Sequence, residues 1–144
     1  MSYPTKPWHH GVVTVLAVIF YGLAVLDFAL TSLNFQAYID YASPELLAIA
    51  QGFPAFINLI WIVTVFGGAL GCYLLWTQSK HAVLLLFIGF VGMGVLTLWM
   101  TIFSRPSLIG AAGLSGLYTM LGTCALGFLI YLYARYLRTQ HMLA

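Results

Sequence analysis

Apolar residues in this chain fall in long unbroken runs, not in alternating or one-sided patterns. Four such runs cover about 11–33, 54–76, 82–104 and 112–134, each about 23 residues long. At 1.5 Å per residue, a helix of that length crosses the ~30 Å hydrocarbon core of a bilayer. Short polar breaks join the later runs: Thr77-Gln78-Ser79-Lys80-His81, then Arg105-Pro106-Ser107. Connections this short make the joined runs antiparallel neighbours. Residues 1–10 form a polar lead with Pro4, Lys6, Pro7, Trp8, His9 and His10. The one substantial loop, 34–53, carries Asp40 and Glu45. Within it, Ser43-Pro44-Glu45 reads as an N-cap, a first-turn proline and a carboxylate at the positive end of a helix dipole. Leu46, Leu47, Ile49 and Ala50 follow, and Gly52 ends the run. That pattern predicts a helix of about two turns, too short to cross and so lying at the membrane surface. The fold expected is an all-α, membrane-spanning four-helix bundle, one domain over 1–144, with a short interfacial helix in the first outer loop.

Composition agrees. Of 144 residues, 62% are hydrophobic and 6% charged, and the mean hydropathy is +1.00. A soluble domain carries about 25% charged residues, so a soluble enzyme, a nucleic-acid-binding module and a disordered tail are excluded. Five basic and three acidic residues leave a net charge of +2, too sparse for a nucleic-acid footprint. The first run is too long for a signal-peptide core, and Ser32-Leu33-Asn34-Phe35 offers no small-residue cleavage site, so it is expected to stay. Cys72 and Cys124 lie at depths roughly 9 Å apart at 1.5 Å per residue, and two free apolar thiols are expected.

The bases set an orientation. Lys6, Lys80, Arg135 and Arg138 fall on one side, and Arg105 falls on the other with Asp40 and Glu45. The positive-inside rule then places both termini in the cytoplasm and the long loop outside. Trp8, Trp76, Tyr131, Tyr133 and Tyr136 gather at the inner boundary; Tyr38, Tyr41, Phe53 and Phe103 gather at the outer one. Small residues recur at helical spacing: Gly67 with Gly71, then Gly89, Gly92 and Gly94, then Ala112 with Gly116 and Thr123 with Gly127. In lipid, small residues hold helices together by letting backbones approach. Gly67, Gly71, Gly89, Gly92, Ala112 and Gly116 are therefore candidate packing positions. They serve this bundle, or else they receive a second copy or a foreign helix.

Candidate chemistry is thin. His9, His10, His81 and His141 sit at the cytoplasmic rim as solvated side chains, so no paired ligands for haem and no metal site are expected. There is no H-E-x-x-H, no phosphate-binding glycine loop and no G-x-S-x-G. No nucleophile has a base in reach, so neither an enzyme nor a cofactor is expected. The exception is Asp27, the only acidic residue inside a span, which needs a partner or a proton because an unpaired charge there costs at least ~2.5 kcal/mol. Depth counting brings polar residues of the outer third to its level: Thr31, Asn58, Thr97, Thr101, Ser115 and Tyr118, with Arg105 at the rim. Two readings stand. Asp27 is a structural pin accepting hydrogen bonds from Asn58, a threonine or Tyr118, with Arg105 reaching down. Alternatively the cluster is an outward-open pocket for a proton or small solute, although the inner half has little to continue a path.

Pro44-Glu45-Leu46-Leu47-Ala48, Phe53-Pro54-Ala55-Phe56 and Val65-Phe66-Gly67-Gly68-Ala69-Leu70-Gly71, with Asp27-x-x-x-Thr31 and Tyr133-Ala134-Arg135, resemble a family of small bacterial inner-membrane proteins with four spans. The resemblance implies that topology and a bacterial inner (cytoplasmic) membrane. Some members carry a sugar-transporter label, which does not enter the functional expectation. That expectation is a small non-enzymatic accessory or interaction component of a membrane complex. The alternative is an oligomeric transporter component for a small solute or protons, using the pocket around Asp27. The bilayer is the expected surrounding, and a membrane-protein partner or a second copy would use the glycine faces.

Overall fold

The computed structural model describes residues 7–143; Lys6, one of the four bases that set the orientation, lies outside the described residues. Helix α1 spans Trp8–Ser32, α2 Gln36–Ile39, α3 Pro44–Gln51 and α4 Ala55–Trp76. Helix α5 spans Ala82–Leu98 and continues as a π-helical turn, Trp99–Phe103, before α6, Leu108–Thr139. Helices α1, α4, α5 with its π turn, and α6 are each long and apolar enough to cross a bilayer. By helix length and hydropathy this is a multi-pass membrane protein.

Local chemistry sets the helix ends. Pro7, with φ −63° and ψ 140°, opens α1 at Trp8, earlier than the apolar run begins. Asn34 adopts φ 49°, a left-handed conformation that asparagine tolerates, and turns the chain away beyond α1. Helix α3 begins after Ser43 and stops at Gly52, where its pattern places it. The Ser43 hydroxyl does not cap the helix, however; it donates to Glu45 Oε2 at 2.7 Å. At α6 the cap is real: Ser107 Oγ accepts from the Gly110 N–H at 3.2 Å. Gly113 then breaks the helix at φ 64° and ψ −164°, a backbone that side chains disfavour, and the long continuous stretch begins at Leu114.

Helix α4 packs between α1 and α5, α5 packs against α6, and α3 folds over onto α6. One tight layer centres on Tyr21. His10, Thr14, Ala17 and Tyr21 form the buried stripe of α1, at the spacing of one helical face. Tyr21 is wholly buried, its ring pressed against Gly68 of α4. A Cβ at Gly68 would lie 1.9 Å from the ring, and a Cβ at Gly89 of α5 would lie 2.9 Å from the hydroxyl. Gly127 of α6 closes the fourth side, its Cβ position 3.6 Å from the same hydroxyl. That hydroxyl has no hydrogen-bond partner among the described residues.

Several expectations change here. Gly71 meets Leu86 and Gly92 meets Thr64, so these glycines do mark close approaches. Gly67 does not: a Cβ there would meet nothing within 4 Å, and its neighbour Gly68 faces the bundle instead. Ala112 and Gly116 approach each other across the Gly113 break, where a Cβ on Gly116 would lie 2.5 Å from that of Ala112. They are thus not a seam between helices. His10 is buried, not solvated, and stacks on Tyr133 with ring centroids 6.3 Å apart. Cys72 and Cys124 are free thiols on α4 and α6.

The glycine layer yields a direct comparison. Gly68→Ala should destabilise the bundle by about 1–3 kcal/mol, the cost of overpacking a filled core. Gly67→Ala, next to it in sequence, should cost nothing, because the space beside it is open. Unfolding of both variants in one detergent checks this; equal effects would contradict the Tyr21 contact.

Candidate functional site

Two helical turns from the Tyr21 layer toward the loop face, roughly 10 Å along each helix, the four spans no longer touch at the centre. Asp27 of α1, Trp61 of α4, Leu96 of α5 and Met120 of α6 border a cavity of about 460 Å³. Thr31, Met100 of the π turn and Leu108 complete its walls. The loop supplies the rest: Tyr38, Tyr41, Ala42 and Ser43, then Leu46, Leu47, Ile49 and Ala50 of α3, and Phe53. The lining is mainly apolar, and its polar side chains come from α1 and the stretch before α3. Met100 belongs to the π turn that ends α5, and such turns recur at functional sites.

Asp27 is positioned by the loop. Its Oδ1 accepts a hydrogen bond from the Tyr38 hydroxyl on α2. The turn at Asn34 and the four-residue α2 bring Tyr38 back over the bundle, and Gln36 Nε2 donates to Asp40 Oδ1 at 2.7 Å along that helix. The hydrogen bond to Asp27, then burial and the carboxylate's charge, favour the protonated phenol, and Tyr38 is pushed up from 10.0 to about 12 against a smaller opposing pull from Thr31. Glu45 is held below the usual carboxylate range by the hydroxyl of Ser43.

The eight residues of the sequence-derived polar cluster are therefore not one site. Asp27 and Thr31 line the cavity. Asn58 turns away, donating to the Phe53 carbonyl at 3.1 Å and lining a separate recess of about 370 Å³ with Thr31, Ser32 and Gln51. Thr97 donates to the Met93 carbonyl at 2.8 Å and lies 3.4 Å from Cys124 Sγ. Thr101 and Ser115 likewise bond carbonyls of their own segments, at 2.7 and 2.8 Å. Tyr118 is 67% exposed, and Arg105 is exposed at the end of the π turn. Equal depth did not bring these side chains together, because they occupy different faces of their helices. Tyr38, Tyr41 and Trp61 are the side chains that depth counting omits. The available signal was the loop length: twenty residues joining two neighbouring helices must fold back over them.

The Tyr38 contact gives a pH test. The group is raised on folding, so the stability it contributes is present below pH 10 and is lost as pH rises through about 12. The tyrosinate absorbance of the protein minus that of Tyr38→Phe isolates this residue. It should titrate near 12, and in Asp27→Asn it should fall toward 10. A midpoint near 10 in both would break the pairing.

Among the described residues, no group of three or more His, Cys, Asp or Glu gathers to hold a metal ion. Compared with family models, curated proteins and solved structures, the chain matches none of them. The fold and its hydropathy identify a four-helix membrane protein, and no family is assigned to it.

Proposed function

We propose that this chain is a non-enzymatic component of a bacterial inner membrane, an accessory to a larger membrane assembly that holds a small molecule in the cavity beneath α3. Its termini are cytoplasmic and its loop face is outward, a reading supported by Lys80, Arg135 and Arg138 near one face against Arg105 near the other. The observation that carries the functional reading is the position of the cavity. It lies wholly on the loop side of the Tyr21 layer, where Gly68, Gly89 and Gly127 pack against a wholly buried ring. A solute entering from the loop face meets that layer before the terminal half, which suits holding better than passing.

The accessory role draws on the exposed apolar faces of the spanning helices. Helix α1 presents Leu16, Ile19, Leu23 and Leu26 outward, a ridge able to meet lipid or another helix. A second reading, an oligomeric transporter component for a small solute or protons, draws on one observation: a carboxylate, Asp27, stands in the cavity wall.

Extraction from native membranes in mild detergent separates the two. An accessory protein should migrate in a larger assembly at fixed stoichiometry. As the only protein in liposomes loaded with a pH-sensitive dye, it should carry no proton flux. Migration alone or with its own copies, together with a flux that Asp27→Asn abolishes, would replace this reading with the transport one.

A further inference from the structure

We propose that the cavity beneath α3 takes a lipophilic organic cation, an apolar body bearing an ammonium or similar centre, with Asp27 as its counter-ion. The inference rests on the holding function above and adds the charge and chemistry of what is held. Three features of the wall combine. Asp27 is the only acidic side chain on the four spanning helices, and the lining contains no Lys, Arg or His. Its carboxylate takes one neutral hydrogen bond, from Tyr38, and forms no ion pair among the described residues. Asp27 is an exposed residue, so its carboxylate is accessible to a ligand, and a carboxylate without a positive partner in an apolar surround gains from a cationic one.

The second feature is aromatic. Tyr38, Phe53 and Trp61 line the same space as the carboxylate, with Tyr41 at its exposed rim. Rings grouped around a site bind organic cations through their negative faces, most strongly where water is excluded. Edge contacts with Phe28 and Phe53, at centroid distances of 4.8 and 5.7 Å, hold Trp61 in place. The third feature is the opposite wall, where Leu96, Met100, Leu108 and Met120 offer apolar, adaptable surface. A volume of about 460 Å³ lies within the range of drug-sized ligand pockets.

Other ligand classes fit less well. A sugar needs hydrogen-bonding groups on all sides, whereas this cavity carries them on one. A fatty acid or other lipophilic anion would set its charge against Asp27. A neutral apolar molecule would leave the carboxylate uncompensated.

Tetraphenylphosphonium and tetraphenylborate have the same shape and opposite charge, so they read the charge preference directly. Equilibrium dialysis of the purified full chain in a non-ionic detergent, corrected with empty micelles, should show saturable phosphonium binding at least tenfold tighter than borate binding. Asp27→Asn should remove most of that preference, and Trp61→Leu should weaken phosphonium binding several-fold. Met120→Trp, which fills the cavity, should abolish binding of either ion. Equal binding of both ions, abolished by Met120→Trp, would overturn the cation claim while leaving the holding function intact. No saturable binding of either ion, or binding that Met120→Trp leaves unchanged, would overturn both. Where Asp27→Asn does not fold, the comparison of the two ions on the unaltered protein still decides the matter.

Discussion

The seat of Tyr21 among three glycines is the contact on which the rest of the bundle depends. Spanning helices have no hydrophobic drive toward one another in lipid, so close packing has to hold them. One large flat ring against Gly68, with its hydroxyl between Gly89 and Gly127, brings all four helices to one level. Toward the terminal face, the core continues as Cys72, Leu75, Leu86, Ile130, Ala134 and Leu137. Toward the loop face no ring of that kind fills the centre, and the helices border a cavity instead. The Tyr21 layer thus marks the terminal-side limit of the cavity, while close packing continues beside it on the loop side where Gly92 meets Thr64.

The loop then gives the cavity its character. Helix α3 covers it with Leu46, Leu47 and Ile49, of which Ile49 is buried, while α2 delivers the Tyr38 hydroxyl to Asp27. The expected structural pin therefore exists in a different form. Asp27 is bonded to the loop and not to a neighbouring span, so it fastens the roof to the wall of the cavity. Asp27 thus stands at once in the loop bond and in the cavity wall. Removing the carboxylate would loosen the roof as well as discharge the wall, and this is why Tyr38 has to be followed alongside Asp27.

Much of the fold was legible because bilayer thickness sets so strict a length requirement. Four apolar runs and the Ser43-Pro44-Glu45 start of α3 carry enough signal on their own. Helix α2 carries too little, with four residues, no side-chain cap and no apolar stripe. The choice between Gly67 and Gly68 was out of reach for a related reason. A helix that is apolar all round has no marked face, so spacing alone does not say which glycine points inward. The polar cluster failed through geometry: counting along helices gives depth but not direction around the axis. Asn58 and Thr97 share the level of Asp27 and spend their hydrogen bonds elsewhere. Tyr38 reads as one more aromatic at the membrane boundary until the loop is seen folded over the bundle.

The central claim is that the Tyr21 layer separates an open loop half from a sealed terminal half. Labelling of single cysteines by a water-soluble thiol reagent, with Cys72 and Cys124 replaced by alanine, tests it most directly. Leu96→Cys and Leu86→Cys place the thiol at two buried positions on α5, one lining the cavity and one beyond the layer. Rapid reaction at position 96 with none at position 86 is the result this account predicts. Equal reactivity at the two positions would show that water reaches the terminal half and would contradict it.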